Sequence, residues 1–146
     1  MINGQLVSRI IEARKFVEKI HRDQSYGTKP YLYHLEGVAS MVGLNAKIVA
    51  LLHDSVEDGK TTLEIIEKKF GPEISSDINA LTRRDEESYT EYIERVANSS
   101  NIVIEVKTAD LHFNLAHGAK NGKLKRRYEN ALDLLYLWGK IAIRRR

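Results

Sequence analysis

Residues 51–59 read LLHDSVEDG, and the reading of this stretch decides the fold. It is entered by an uninterrupted aliphatic run, IVALL at 48–52, and then places His53, Asp54, Glu57 and Asp58 within six positions. All four can bind a metal or move a proton. At ~100° per residue the polar groups fall within an arc of about 140°, while Ile48, Val49, Leu52 and Val56 lie opposite. The spacing therefore predicts a helix over 46–56 with one aliphatic face and one of acid and imidazole. A solvated face would mix in Lys, Arg or Gln; here Ala50 and Leu51 flank the acids instead, so this face too is expected to be covered by protein. A buried carboxylate without a partner costs several kcal/mol or takes up a proton. A divalent cation would supply the compensation.

The pattern on either side is helical as well. Leu6, Ile10, Ala13, Val17 and Ile20 recur at helical spacing, and the first helix is expected to end near His21, before Gly27 and Pro30 break the pattern. Further helices are predicted over 33–44, from TTLE at 61–64 to Gly71-Pro72, and over 73–81, 88–98, 101–117 and 122–142. Thr61 and Glu64 have the spacing of a capping box. The β-branched NIVIEV at 101–106 suits a strand equally well, but the polar positions beyond it keep a spacing of four, which favours helix. The expected fold is all-α, a bundle of about seven or eight helices. No internal repeat or linker interrupts it, and 146 residues fit a single domain over 1–146.

Composition narrows the chemistry. With no cysteine in the chain, disulfides, thiol catalysis and thiolate metal sites are excluded, so a metal must be held by imidazole and carboxylate. The longest aliphatic runs are too short for a bilayer and the N-terminus lacks the pattern of an export signal, so a cytoplasmic protein without membrane contact is expected. The net charge of +3 is matched by Arg144, Arg145 and Arg146 alone. A second basic group, KLKRR at 123–127, reads as a solvated helix start or a local attraction for phosphates. Neither group carries interleaved aromatics, and nucleic acid is not expected as a partner. The apolar LDLLYLWGKIAI at 132–143 suits either core or a homo-oligomer interface.

Remaining ligands must come from other segments. His34 in PYLYHLEGVAS and Asp110 in KTADLHFNLAHG would complete a set of two histidines and two carboxylates with His53 and Asp54. Such a set suits Mn²⁺, Fe²⁺, Zn²⁺, Co²⁺ or Mg²⁺; imidazole disfavours Mg²⁺, and Mn²⁺ is the first choice. A buried polar network without metal is the alternative.

The order His34, His53-Asp54, Asp110 resembles the signature of HD-domain phosphohydrolases. HDSVED, GTKPYLYH and KTADLHFN resemble, more closely, the hydrolase domain of the RelA/SpoT alarmone enzymes and their small MESH1-like relatives, over about Ala13 to Asn114. The resemblance implies an HD-type helical domain with one metal, usually Mn²⁺, on His34, His53, Asp54 and Asp110. It implies that Glu57 and Asp58 activate the attacking water, and that Asn114 approaches the ribose and phosphate. The substrate class it implies is guanosine tetra- or pentaphosphate, losing its 3′-pyrophosphate. The sequence departs from the pattern where SYGTKPY follows Gln24 in place of an Arg-Lys pair that packs on guanine. It departs again at Leu35, where the family has proline, and at Leu111, where it has arginine. These changes bear on substrate choice more than on the metal.

Physical reading of the neighbouring residues adds candidates. Asp110 and Asn114, four apart, share a helical face. Lys107 would pair with Asp110 or contact phosphate. Tyr26 is a candidate for stacking on a base and Lys29 for binding phosphate, although a turn tyrosine and a solvated lysine are the ordinary fates. His21 reads as a structural helix-end histidine; His112 falls on another face, and His117 reaches at most the cavity mouth. Tyr89 and Tyr92 read as core or hydrogen-bonding residues, with a substrate role as the alternative, and Arg14, Lys15, Arg83 and Arg84 as solvated charges or phosphate contacts. Three functions remain open: a Mn²⁺-dependent pyrophosphohydrolase of guanosine tetraphosphate or a related nucleotide, a phosphatase of another nucleotide such as NADPH or a nucleoside monophosphate, and a non-catalytic nucleotide-binding module.

Overall fold

Ile48, Val49, Ala50, Leu51 and Leu52 are each no more than 3% exposed, and a segment apolar on every side can only lie inside. They form α3 (Lys47–Leu52). The computed structural model describes residues 4–144, with side chains through 139. Within that range α3 is surrounded by α1 (Gly4–Ile20), α2 (Tyr31–Ala39), α5 (Pro72–Leu81) and α7 (Asn101–His117). The second layer is α4 (Leu63–Phe70) against α5, and α6 (Tyr89–Ala97) with α7 against α8 (Gly122–Arg144). The all-α expectation holds, with eight α-helices among the described residues. None is long and apolar enough to cross a membrane.

The expected helix over 46–56 is corrected: α3 stops at Leu52, and His53 to Asp58 run through successive turns. The side chains end it. His53 Nδ1 lies 2.6 Å from the Ala50 carbonyl and the Ser55 hydroxyl donates to that of Leu52 at 2.6 Å, removing two acceptors that a continuing helix needs. The amides of Lys60 and Thr61 then close on Ser55 O, and Gly59, at φ 70°, takes the chain out in a conformation few other residues adopt. Because Thr61 belongs to this turn, the cap of α4 falls one residue later than expected, on Thr62, whose side chain accepts from Ile65 N.

Other boundaries follow local chemistry. Pro72 opens α5, where its missing N–H costs nothing. A capping box of Ser88 and Glu91 opens α6, and Ser100 caps α7, so the β-branched run at 101–106 enters a helix already started. The second helix spans Tyr31–Ala39, two residues earlier than the expected start at 33 and well short of 44. Between α1 and α2 lies a two-stranded antiparallel ribbon that periodicity did not predict, β1 (Ser25–Tyr26) and β2 (Lys29–Pro30), with Tyr26 opposite Lys29. Gly27, at φ 60°, makes its two-residue turn. The apolar α8 stretch divides: Ala131 and Leu135 are buried in the core, whereas Tyr136 and Leu137 are 62% and 59% exposed. Arg145 and Arg146 lie outside the described residues.

Candidate active site

Three elements converge where α3 ends. His34 comes from α2, His53 and Asp54 from the turn after α3, and Asp110 from the middle of α7. One donor atom from each lies within 4.8 Å of every other. His34 Nε2 is 3.3 Å from His53 Nε2, 3.3 Å from Asp54 Oδ2 and 3.1 Å from Asp110 Oδ1; His53 Nε2 is 3.1 Å and 3.2 Å from the same two oxygens. These five contacts share at most two ring protons, so hydrogen bonding alone cannot serve them all. Ligands about 2.0–2.2 Å from a common ion are spaced by about 2.8–3.6 Å, and the observed separations fall in that range. The donor set fits a divalent cation.

The surrounding contacts orient the set. With Nδ1 directed at the Ala50 carbonyl, His53 presents Nε2 to the cluster. The Tyr31 hydroxyl donates to Asp54 Oδ2 at 2.5 Å. Lys107 Nζ lies 2.9 Å from Asp110 Oδ2, and Asn114 Nδ2 donates to Asp110 Oδ1 at 3.2 Å. The Tyr26 ring stacks on His34 with centroids 4.8 Å apart and planes within 7°, and its hydroxyl donates to Asn114 Oδ1 at 2.7 Å. The Phe113 ring meets His34 edge-on.

Charges in the cluster depend on one another. Burial is the strongest influence on His53 and pulls its pKa down, but Asp54 and Asp110 outweigh it and hold the imidazole well above its ordinary value. Burial likewise pushes Asp110 up, yet Lys107 and His53 bring it well below the usual carboxylate range. Asp54 is lowered in the same way, chiefly by His53 against the cost of burial. Lys107 stays charged, since Asp110 overcomes its desolvation. Of the two readings of Lys107, the ion pair describes its contact.

At the cavity rim are two further acids, Glu57 and Asp58. Glu57 Oε1 accepts from the Arg83 backbone N–H at 2.8 Å, and Asp58 Oδ2 accepts from Gln24 Nε2 at 2.8 Å. Gln24 is held in turn by His21, with Oε1 2.6 Å from Nδ1; His21 is buried and stacks on Tyr31, in keeping with its structural reading. Desolvation raises the pKa of both acids, and the Asp54 charge adds to it. The expectation of an acid face covered by protein thus holds for His53 and Asp54 and fails for Glu57 and Asp58, which are exposed.

The cavity measures about 340 Å³, and its wall includes Tyr26, Glu57, Asp58, Lys107 and Asn114. Lys29 is not among its lining residues; it lies in a neighbouring groove with Tyr33 and His117, its ammonium 5.8 Å from the Tyr33 ring centroid. His117 approaches the Tyr33 hydroxyl at 3.3 Å and His112 is exposed. Tyr92 is buried, and its hydroxyl donates to Leu81 O. The sequence reading gave no role to Tyr31 or Tyr128, both in the wall; Arg127, the end of the basic KLKRR group, and Tyr89, read as a core or hydrogen-bonding residue with a substrate role as the alternative, line the cavity as well. Tyr31 had a signal in its position at the start of α2, one turn before His34. Arg127 had one only as part of the basic KLKRR group, which gave a phosphate attraction without a location, and Tyr128 had none, because their place depends on how α8 packs on α6 and α7.

No family model matches the sequence. The chain is 33% identical over 129 residues to the human guanosine-3′,5′-bis(diphosphate) 3′-pyrophosphohydrolase MESH1, an alignment covering 77% of this chain and 70% of that protein. The zebrafish protein of the same name is 32% identical over 131 residues, covering 78% and 71%. The guanosine-3′,5′-bis(diphosphate) 3′-pyrophosphohydrolase of Aquifex aeolicus is 33% identical over 85 residues, 54% of this chain and 12% of that longer one. A solved structure described by the words "A metazoan ortholog of SpoT hydrolyzes ppGpp and plays a role in starvation responses" superposes with a TM-score of 0.69 and 24% identity, covering 96% of this chain and 84% of that one. At that identity the likeness speaks for the fold. With a third of the aligned residues identical over most of both chains, on the same helical frame, this chain belongs to the MESH1 family of guanosine-3′,5′-bis(diphosphate) 3′-pyrophosphohydrolases.

Proposed function

We propose that this chain, acting as a single domain, removes pyrophosphate from the 3′ position of guanosine 3′,5′-bis(diphosphate), leaving GDP. The observation that carries the reading is the convergence of His34, His53, Asp54 and Asp110 in a cavity whose rim bears Glu57 and Asp58. The names of the relatives supply the substrate.

His34, His53, Asp54 and Asp110 would hold one divalent cation, and Mn²⁺ is our choice among the ions this donor set suits. When bound, such an ion lowers the pKa of water and neutralises charge on phosphoryl oxygens. Glu57 and Asp58 accept the proton of the attacking water. Both have raised pKa values, which bring a carboxylate closer to the operating pH and improve it as a base. Asn114 and Tyr26, already hydrogen-bonded to each other, face the ribose and base. Lys107 keeps Asp110 ionised and pointed at the cluster.

The test is turnover of a nucleotide panel by the purified, Mn²⁺-loaded protein, with products identified by mass spectrometry. Guanosine 3′,5′-bis(diphosphate) should yield GDP and pyrophosphate, and Asp54→Ala and Glu57→Ala should lose that activity. Release of phosphate from NADPH or a nucleoside monophosphate, with none from the guanosine substrate, would assign the site to the other phosphatase class. Products independent of both residues would leave the cluster without a catalytic role.

A further inference from the structure

Arg83, after α5, and Arg127, in the first turns of α8, meet at one aromatic ring. Their guanidinium carbons are 5.6 Å and 4.9 Å from the centroid of Tyr89, and all three residues line the cavity that holds the metal-ligand cluster. Cations stacked on an aromatic face are positioned in advance of any ligand. Arg83 Nε and Nη2 donate to the Glu87 carbonyl at 3.3 Å and 3.1 Å, which fixes the group without neutralising it. Among the described residues Arg127 makes no side-chain hydrogen bond, and neither arginine has a carboxylate partner. Arg14 and Arg84, the other arginines considered as phosphate contacts, are engaged elsewhere: Arg14 pairs with Glu18 and Glu36, and Arg84 donates to Asn79 and Thr82. The Tyr89 hydroxyl is also a buried donor without a partner, and desolvation keeps the phenol protonated.

The electrostatics of the cavity make this pair informative. Asp54, Glu57, Asp58 and Asp110 are all in its wall, and Lys107 is already taken by Asp110. A nucleotide phosphorylated at both ends presents one polyanion to the cation site, while the other would lie in a wall rich in acids unless a separate positive surface received it. We infer that Arg83 and Arg127, stacked on Tyr89, form an anion subsite that binds the 5′-diphosphate of the nucleotide while its 3′ end is hydrolysed. This rests on the proposed activity for its substrate class. Guanidinium groups suit the task because they present several N–H donors to phosphoryl oxygens at once.

The test separates the subsite from the chemistry by measuring equilibrium binding of GDP and of guanosine to the Mn²⁺-loaded protein by calorimetry. GDP should bind more tightly than guanosine, and Arg127→Ala and Arg83→Ala should each reduce that preference by about tenfold or more, the size expected for one lost charge-assisted bond. Arg127→Lys should recover part of it. Lys125→Ala, an equal loss of charge at an exposed neighbouring position, should leave it intact. GDP binding no tighter than guanosine, or a preference that survives Arg127→Ala or falls equally with Lys125→Ala, overturns the subsite. Because no turnover is needed, an arginine-dependent preference in a protein that hydrolyses no 3′-pyrophosphate would keep the subsite and reject the proposed activity.

Discussion

Glu57 and Asp58 are unlike the other acids of the cavity. Asp54 and Asp110 are lowered by charged neighbours, whereas in the rim acids Lys107 and the histidines are outweighed, and both are raised, first by desolvation and then by Asp54. Only the ionised form can accept a proton, so protonation abolishes the base, and a raised pKa moves that loss toward neutrality. The rate constant kcat/KM should therefore fall on the acid side as these carboxylates are protonated. Glu57→Gln should cut kcat by about 10²–10⁴-fold and remove that limb. A pH–rate profile keeping the same limb at a similar rate in Glu57→Gln would show that another group is the base. The identities of these residues were legible in the sequence; their contrasting ionisation was not, because it depends on which of them the turn after α3 carries inward.

Elements bring these residues together through close approaches that periodicity does not reveal. A Cβ added at Gly37 in α2 would lie 2.0 Å from a ring carbon of Phe113 in α7, so the glycine is what allows the ring to pack between these helices and against His34. Gly37→Ala should force the ring aside, destabilising the protein by about 1–3 kcal/mol in denaturant unfolding and loosening His34 with it; an unchanged midpoint would mean that the two helices separate without cost. The segment joining α5 to α6 is organised differently. Glu87 accepts from Arg95 Nε and Nη2 at 2.7 Å and 2.9 Å and from the Arg84 N–H at 2.8 Å. Arg95, the leading cause, holds its carboxyl at about 2. Because the folded pKa lies below the unfolded one, the contribution to stability is complete above pH ~4.5 and is lost as pH falls toward 2. Arg95→Met should flatten the dependence of stability on pH in that window, and a wild-type slope in the variant would place the effect elsewhere. Helices and their order could be read from apolar spacing and caps. The early end of α3 could not, since the side chains that capture its last carbonyls, His53 and Ser55, look like an ordinary continuation of the helix, and the Gly37–Phe113 contact pairs residues whose proximity exists only after α2 and α7 have packed.

For the whole molecule, the cluster of His34, His53, Asp54 and Asp110 is a junction among α2, the turn after α3 and α7, the elements that surround the aliphatic core. The order of these four residues along the chain made this junction legible, whereas the part of the wall contributed by α8 was not, because that helix supplies none of them and its register is set by packing alone. A cation held at such a junction binds the folded chain and finds no equivalent site in the unfolded one, so it must stabilise the fold by RT ln(1 + [L]/Kd). At Mn²⁺ a hundredfold above Kd the gain is about 2.7 kcal/mol, a rise of several degrees in Tm that excess EDTA should reverse. The choice of variant matters. Removing Asp110 would leave Lys107, largely but not fully buried beside it, without its counter-charge, and breaking a fully buried pair in this way costs about 3–5 kcal/mol by itself. Asp54 is partly exposed and has no lysine or arginine partner, so Asp54→Asn removes a ligand charge while keeping the shape and the contact with Tyr31. Thermal unfolding with Mn²⁺ and with EDTA should show a clear difference for the natural sequence and a much smaller one for Asp54→Asn. Equal shifts in the two proteins would locate the stabilising ion away from the four converging residues.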